Sequence, residues 1–555
     1  MQVLDRKLLR DAVRLWAQGL AIALVLASGV GTLVLSMGVY QSLDETLRAY
    51  YERHRFGHVF AAATRAPRSL LPALRALDGV ASVDVRASGA AILDLPGLRE
   101  PASAMLLGLP ENSNGAESGK HGLNQVYLKS GHLPEPGRGN QIAINEAFAI
   151  ANDLGPGDSI TAVLNGRRTD LTISAIVLSP DTIYALGPGD LIPDDRRFGV
   201  FWMPDSEVQV IYDLDGAFNQ ATVMLQHGAD ETPIIEAIDR LLGPFGGTAA
   251  HGRDNHPSHA FIDAELSELR GMMVVLPPVF LLVTAFLVHM ILSRLIALER
   301  EQIGLLKAVG YGRWTIAIHY LKLVMIIAAL GILIGTAVGA WLGYELTALF
   351  ARFYHFPILF FRLSPEVFLI AAAVAIAATA GGALLAVFRV VGLQPVVAMS
   401  PPAPPVFRRS NLLPPGMDRL FSESTVMVTR HLLRTPARSL LTMVGVSFSV
   451  AVMITSMFGL DSVDKMIDVT FLQSERQHAS ISFHEPKTWR ALDAVTRLPG
   501  VMRAEPFRAV TARLHHGHRN RRVTVQGKPG GADLSRVMNT ALEPVELPPV
   551  GIAIS

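Results

Sequence analysis

The chain is 555 residues long, 50% hydrophobic and 17% charged, with a mean hydropathy of +0.34. That is too apolar for an ordinary soluble enzyme. A net charge of +1 gives no global field for nucleic acid, and the absence of cysteine excludes disulfides and thiol-based metal or redox chemistry.

Five stretches reach the ~20 apolar residues that a bilayer crossing needs. They lie between Arg14 and Asp44, and at Gly271–Ser293, Leu323–Tyr344, Val367–Phe388 and Ser439–Leu460. The first is longer than a signal-peptide core and no small-x-small cleavage site follows it, so it reads as an uncleaved anchor. Basic residues orient the spans. Arg6, Lys7, Arg10 and Arg14 precede the first. Arg294, Arg300, Lys307, Arg313 and Lys322 lie between the second and third, and seven arginines from Arg389 to Arg438 between the fourth and fifth. These loops and the N-terminus are expected in the cytoplasm, with the segments from about 44 to 270 and after about 461 outside.

The outside segment reads as a folded mixed α/β domain. DETLRAYYERHR continues the first span as a helix. SLLPALRALDGVASVDVRASGAAIL gives a short helix, a turn at Gly79 and then alternating apolar residues. GNQIAINEAFAIANDLGPGDSITAVLNGRRTDLTISAIV gives a strand, a helix ending near Gly155-Pro156-Gly157 and two strands.

The two ends of the chain echo each other. The Leu-Leu-Arg lead and span that begin at Leu8 return from His431, and ALRALDGVASVDVRASGAAI at Ala73 returns as ALDAVTRLPGVMRAEPFRAV at Ala491. VGIAIS at the end resembles NQIAIN at Asn140–Asn145. We expect a tandem repeat whose second copy stops partway through its outside domain. Pro401-Pro402-Ala403-Pro404-Pro405 and Pro414-Pro415 make the link between the copies a stiff spacer.

Few motifs point to chemistry. Gly331, Gly335, Gly339 and Gly343 fall on one helix face and invite close packing, either within the bundle or at a dimer seam. Pro277-Pro278 suits a kink or hinge in the second span. His289 is the ionisable group expected inside that span, near its cytoplasmic end. The stretch Asn114–Gly122, NGAESGKHG, lacks the spacing of a phosphate loop, and His121 stands where Ser or Thr should hold magnesium. His251, Asp254, His256 and His259, like HHGH at His515–His518, match no fixed metal-ligand pattern. No catalytic, cofactor or metal site emerges. One stretch remains: Glu299–Trp314, EREQIGLLKAVGYGRW, an amphipathic helix between two spans. By itself it suits either the lipid surface or a protein partner.

Its residues carry a family resemblance. EQIGLLKAVGYGRWTI, Glu301–Ile316, followed by a glycine-rich span, resembles the FtsX-type permease domain of the MacB and LolC/LolE class of ABC transporters, with Gln302 where the family often has Arg or a Glu-adjacent residue. GHLPEPGRGNQIAINEAFA, LGPGDSI and ISAIV are similar to the MacB-like periplasmic core domain. RVVGLQPVVAMSP, from Arg389, is similar to the usual cytoplasmic exit.

The resemblance implies an integral membrane α-helical protein with mixed α/β extracytoplasmic domains. Its parts would be a lead and first span (1–43), a MacB-like domain (44–270), an FtsX-type domain (271–399), a Pro/Arg-rich linker (400–438), a fifth span (439–460) and a partial second outside domain (461–555). It implies a non-enzymatic permease subunit of a bacterial inner-membrane transporter, with ATP bound only by a partner: a cytoplasmic ABC ATPase, expected as a homodimer. A periplasmic adaptor and membrane lipid are further expected partners. The coupling helix would run over Leu298–Gly310, with Glu301, Ile303, Gly304, Leu306, Lys307 and Gly310 as its site residues. Such proteins transmit motion to an outside domain for export or release of a hydrophobic substrate or a lipoprotein. The alternative within the same resemblance is an FtsX-like scaffold that activates cell-envelope hydrolases.

Overall fold

A computed structural model describes residues 3–95, 97–98, 101–111, 122–187, 190, 192–391, 436–481, 483, 486–516, 519–548 and 550–553. The exit motif from Gly392 onward, most of the 400–438 linker, the stretch Asn114–His121 and the end of the His515–His518 run lie outside these residues. The chain divides into two compact units. One is built on Met1–Asp44, Leu266–Leu349 and Phe360–Gly459, the other on Glu45–Glu265, Phe350–Leu359 and Leu460–Ser555.

The chain opens with helices α1 (Val3–Arg14) and α2 (Trp16–Arg53). Only a turn at Leu15 separates them: the Leu15 N–H still donates to the Asp11 carbonyl (3.0 Å) and the Gly19 N–H to the Leu15 carbonyl (2.8 Å). The acidic-headed continuation of the first span is thus part of α2.

Next come β1 (Val59–Pro67), α3 (Leu71–Arg75) and β2 (Val80–Arg86), with Gly79 at φ +83° making the helix-to-strand turn. The chain then builds a second sheet before returning to the first. Its elements are β3 (Ser88–Asp94), β4 (Ala102–Leu109), β5 (Tyr127–Gly131), β6 (Gln141–Asn145), α4 (Glu146–Ala151), β7 (Ser159–Leu164), β8 (Arg167–Leu178), β9 (Phe198–Pro204) and α5 (Asp205–Ile211). The order is β5-β8-β6-β9-β4-β3-β7, and β7 also pairs with β8. Six strands therefore close a barrel, and β5 adds to the far half of β8. Asn165 and Gly166, both at positive φ, form the two-residue β7–β8 turn that the right-handed strand twist favours. Phe148, Phe201, Leu106, Ile142 and Ile144 fill the interior. β10 (Ala217–Leu225), α6 (Glu231–Leu242) and β11 (Thr248–Gly252) complete the first sheet, order β11-β1-β10-β2, whose buried face takes Ile234 and Ile238 of α6.

The chain continues as α7 (Pro257–Leu298), α8 (Arg300–Ala308), α9 (Arg313–Phe353) and α10 (Pro365–Val391). α7 runs as one helix through Pro277 and Pro278. Among the described residues, α2, α7, α9 and α10 are the four helices long and apolar enough to cross a membrane. The fifth expected span lies in α11 (Pro436–Ile467), a single 32-residue helix. After it come α12 (Arg490–Thr496) and a separate antiparallel pair, β12 (Arg508–His516) and β13 (Arg519–Gly527). α3 and α12 end in similar turns. Gly500, at φ +89°, follows α12 as Gly79 follows α3, and in both turns a Val N–H donates to a Leu carbonyl three residues back (3.2 Å).

Candidate functional site

The turn from α7 to α9 is a corner with two fixed ends. At its start α7 bends at Glu299, whose φ and ψ are −95° and 15°. Helical bonds meet at the bend: the Glu299 N–H donates to the Leu295 carbonyl and the Ile303 N–H to that of Glu299, both at 2.9 Å. At its end Gly310 takes φ +101°, the Tyr311 N–H donates to the Leu306 carbonyl (3.0 Å) and the Gly310 N–H to that of Lys307 (3.1 Å). This is a Schellman cap, which needs a residue tolerant of the left-handed region.

Between those ends α8 has two faces. Ile303 is 2% exposed and Gly304 is buried, and Leu306 packs against the same core as Ile316, Tyr320 and Leu323. Leu305 is 57% and Val309 71% exposed, with Glu301, Gln302 and Ala308 on the same outer side. The residues of the expected contact set fall on both faces. Glu301 faces outward, whereas Ile303, Gly304 and Leu306 hold the helix down. The open apolar side chains run through Leu298, Leu305 and Val309. Lys307 is half-buried, and desolvation holds its ammonium below the usual lysine pKa.

Beneath α8 lies a polar cluster that the sequence did not flag. The Lys7 ammonium of α1 donates to Asp11 Oδ2 and to Glu299 Oε2, both at 2.7 Å. The Tyr320 hydroxyl of α9 donates to the same Glu299 oxygen at 2.8 Å, and His319 Nε2 lies 3.8 Å from Asp11 Oδ2. Glu299 is only 4% exposed, and Asp11, His319 and Tyr320 are buried. Burial opposes the Lys7 charge, but the two carboxylates outweigh it and hold its pKa above the ordinary lysine value. The signal was available as Asp11 two turns ahead of an apolar run, and as a His-Tyr pair just inside another.

Gly331, Gly335 and Gly339 of α9 face α2, and Gly343 faces Phe361. A methyl built on Gly331 would fall 2.9 Å from the Ala23 carbonyl oxygen, on Gly335 2.7 Å from that of Ala27, and on Gly339 2.6 Å from that of Gly31. On Gly343 it would fall 2.5 Å from a ring carbon of Phe361. Backbone thus meets backbone along three helical turns.

The His251–His259 loop is taken up by packing. His256 lies between the rings of Phe56 (5.3 Å) and Phe60 (4.5 Å), and the Tyr51 hydroxyl is 3.1 Å from His259 Nδ1. Among the described residues no group of three or more His, Asp or Glu is placed to hold a metal.

Residues 274–395 match the family of FtsX-like permease C-terminal domains. That segment takes in most of α7 and all of α8, α9 and α10, so the corner and the glycine face lie inside it. Two solved structures are similar to part of the chain. One is the periplasmic region of MacB from Actinobacillus actinomycetemcomitans, 14% identical, covering 40% of this chain and 97% of that one, with a TM-score of 0.24. The other is the extracellular domain of the noncanonic ABC-type transporter YknZ from Gram-positive bacteria, 11% identical, covering 35% and 98%, with a TM-score of 0.23. No curated protein matches the chain.

Proposed function

We propose that this chain is the membrane subunit of an ABC transporter that works by mechanotransmission. A separate cytoplasmic ATPase, acting as a dimer, binds the outer face of α8. Its closure moves α7 and α9, and through α2 and α7 the extracytoplasmic α/β domain, for export or release of a hydrophobic substrate or lipoprotein. The observation that carries this reading is the build of α8 inside the permease segment. It is clamped at Glu299 and Gly310, anchored by Ile303 and Leu306, and open along Leu305 and Val309. A helix merely resting on lipid needs no such corner. The apolar spans offer no chain of polar groups for a solute path, which favours moved domains over a channel. The basic residues ahead of α2 and around α8 favour a cytoplasmic position for both.

The test is co-purification with the neighbouring-gene ATPase and measurement of its stimulated activity. Leu305→Asp and Val309→Asp should each lower association about tenfold while leaving the permease folded, since both side chains point outward. Full association of both variants would refute α8 as the docking face.

A further inference from the structure

The reading above uses the outer face of α8 and leaves the buried cluster beneath it without a task. Buried ion pairs stabilise a fold little better than apolar residues of the same size, so their value is in fixing geometry. Here the Lys7 ammonium bridges two carboxylates, Asp11 on its own helix and Glu299, 292 residues further along the chain from Lys7. One oxygen of Glu299 collects donors from α1 and α9 at once, at the residue where α7 bends into α8. Apolar contacts reinforce the same join, because Ala12 and Leu15 pack against the core that holds Ile303 and Leu306. α1 in turn passes into α2 with its hydrogen-bond ladder carried across Leu15.

We infer that α1 is a working part of the coupling element, and that the Lys7–Glu299 contact is a strut carrying displacement of α8 into α2. Motion applied to α8 then enters the bilayer by two routes. One is the covalent route through α7 and α9. The other runs through Lys7, α1 and α2. Lys7, Asp11, Glu299 and Tyr320 are positioning residues: they touch neither nucleotide nor transported substrate. The inference rests on α8 being the ATPase contact, and its test separates the two.

The chain has no native cysteine, so paired replacements are clean. The full chain and its ATPase subunit are reconstituted in proteoliposomes, and ATPase association and permease-stimulated hydrolysis are read separately. Lys7→Met and Glu299→Gln should keep association and lose about tenfold in stimulation. The exchange Lys7→Glu with Glu299→Lys restores the charge pair and should recover most of the loss. Lys7→Cys with Glu299→Cys should be impaired until a short bis-maleimide joins the two thiols, and should then recover. Recovery by exchange and by cross-link excludes simple misfolding. Undiminished stimulation in Lys7→Met, or a cross-linked protein that stays inactive, overturns the strut while leaving α8 docking intact. If Leu305→Asp also leaves association unchanged, it is the docking reading itself that fails.

Discussion

Replacing Gly339 by alanine tests the α2–α9 seam. The added methyl would fall 2.6 Å from the Gly31 carbonyl oxygen and 3.0 Å from both Gly31 Cα and Val34 Cβ. Ordinary contact begins near 3.4 Å, so the two backbones must separate by about 0.8 Å at that turn. A gap of that size forfeits roughly a quarter to a half of the dispersion energy of the atoms lining it. Lipid offers no hydrophobic drive to press the helices together again, so the loss is not recovered elsewhere. Overpacking of this kind costs about 1–3 kcal/mol, and Gly339→Val more. The internal control is Gly381 of α10, where an added methyl meets nothing within 4 Å. Alanine is the better helix former by about 1 kcal/mol, so Gly381→Ala should be neutral or stabilising. Thermal unfolding of the detergent-solubilised protein, followed by size-exclusion chromatography, reads the difference at roughly 1 °C per kcal/mol for a chain of this length. If Gly339→Ala melts at or above the wild-type temperature, or Gly381→Ala falls as far, the seam is not a packing contact.

Three further outcomes follow from other sites. Gly310→Ala places a Cβ in the left-handed region and should cost about 1–2 kcal/mol, seen as faster amide exchange in the last turn of α8. Burial between two aromatic rings holds the neutral form of His256 and lowers its pKa to about 4. The unfolded chain binds that proton first, so stability present above pH 6.5 is lost as the pH falls toward 4. The loss is up to about 3 kcal/mol, and His256→Phe should flatten it in hydrogen exchange of the β1–β11 region. Asp205, whose carboxyl pKa burial raises, accepts hydrogen bonds from the Ala87 N–H and Gln209 (both 2.7 Å) and pairs with Arg68. Asp205→Ala strands those donors between the sheet and the barrel and should destabilise the domain by about 3 kcal/mol in urea unfolding, with Asp205→Asn costing less.

Much of the architecture was legible because bilayer and turn physics write themselves into local sequence. Four apolar runs reappear as α2, α7, α9 and α10, and Gly79 and Asn165-Gly166 sit where strands must begin or reverse. The barrel closure was not legible. It depends on β8 sharing one edge between β7 and β5, a pairing between segments whose alternation patterns are individually ordinary. Strands such as β6 and β9, buried on almost every residue, carry no alternation at all.

The site divides along the same line. Gly310 and the outward Glu301 could be placed from sequence, because a helix end and a charge declare their surroundings. Ile303 and Leu306 could not, since an apolar residue on a short amphipathic helix suits either of two faces until the partner core is known. Lys7, Asp11 and Glu299 were hidden for the opposite reason. Each looks like an ordinary interfacial charge, and only the convergence of three helices shows that Asp11 and Glu299 are buried around a half-buried Lys7. A charge moved out of water needs its partner in place before the structure can form, so the join between α1 and the α7–α8 bend is made once and in one register. The apolar contacts around it could slide by a turn with little penalty. The ion pair cannot, and a strut that cannot slide is what a displacement of α8 requires if it is to reach α2 undiminished.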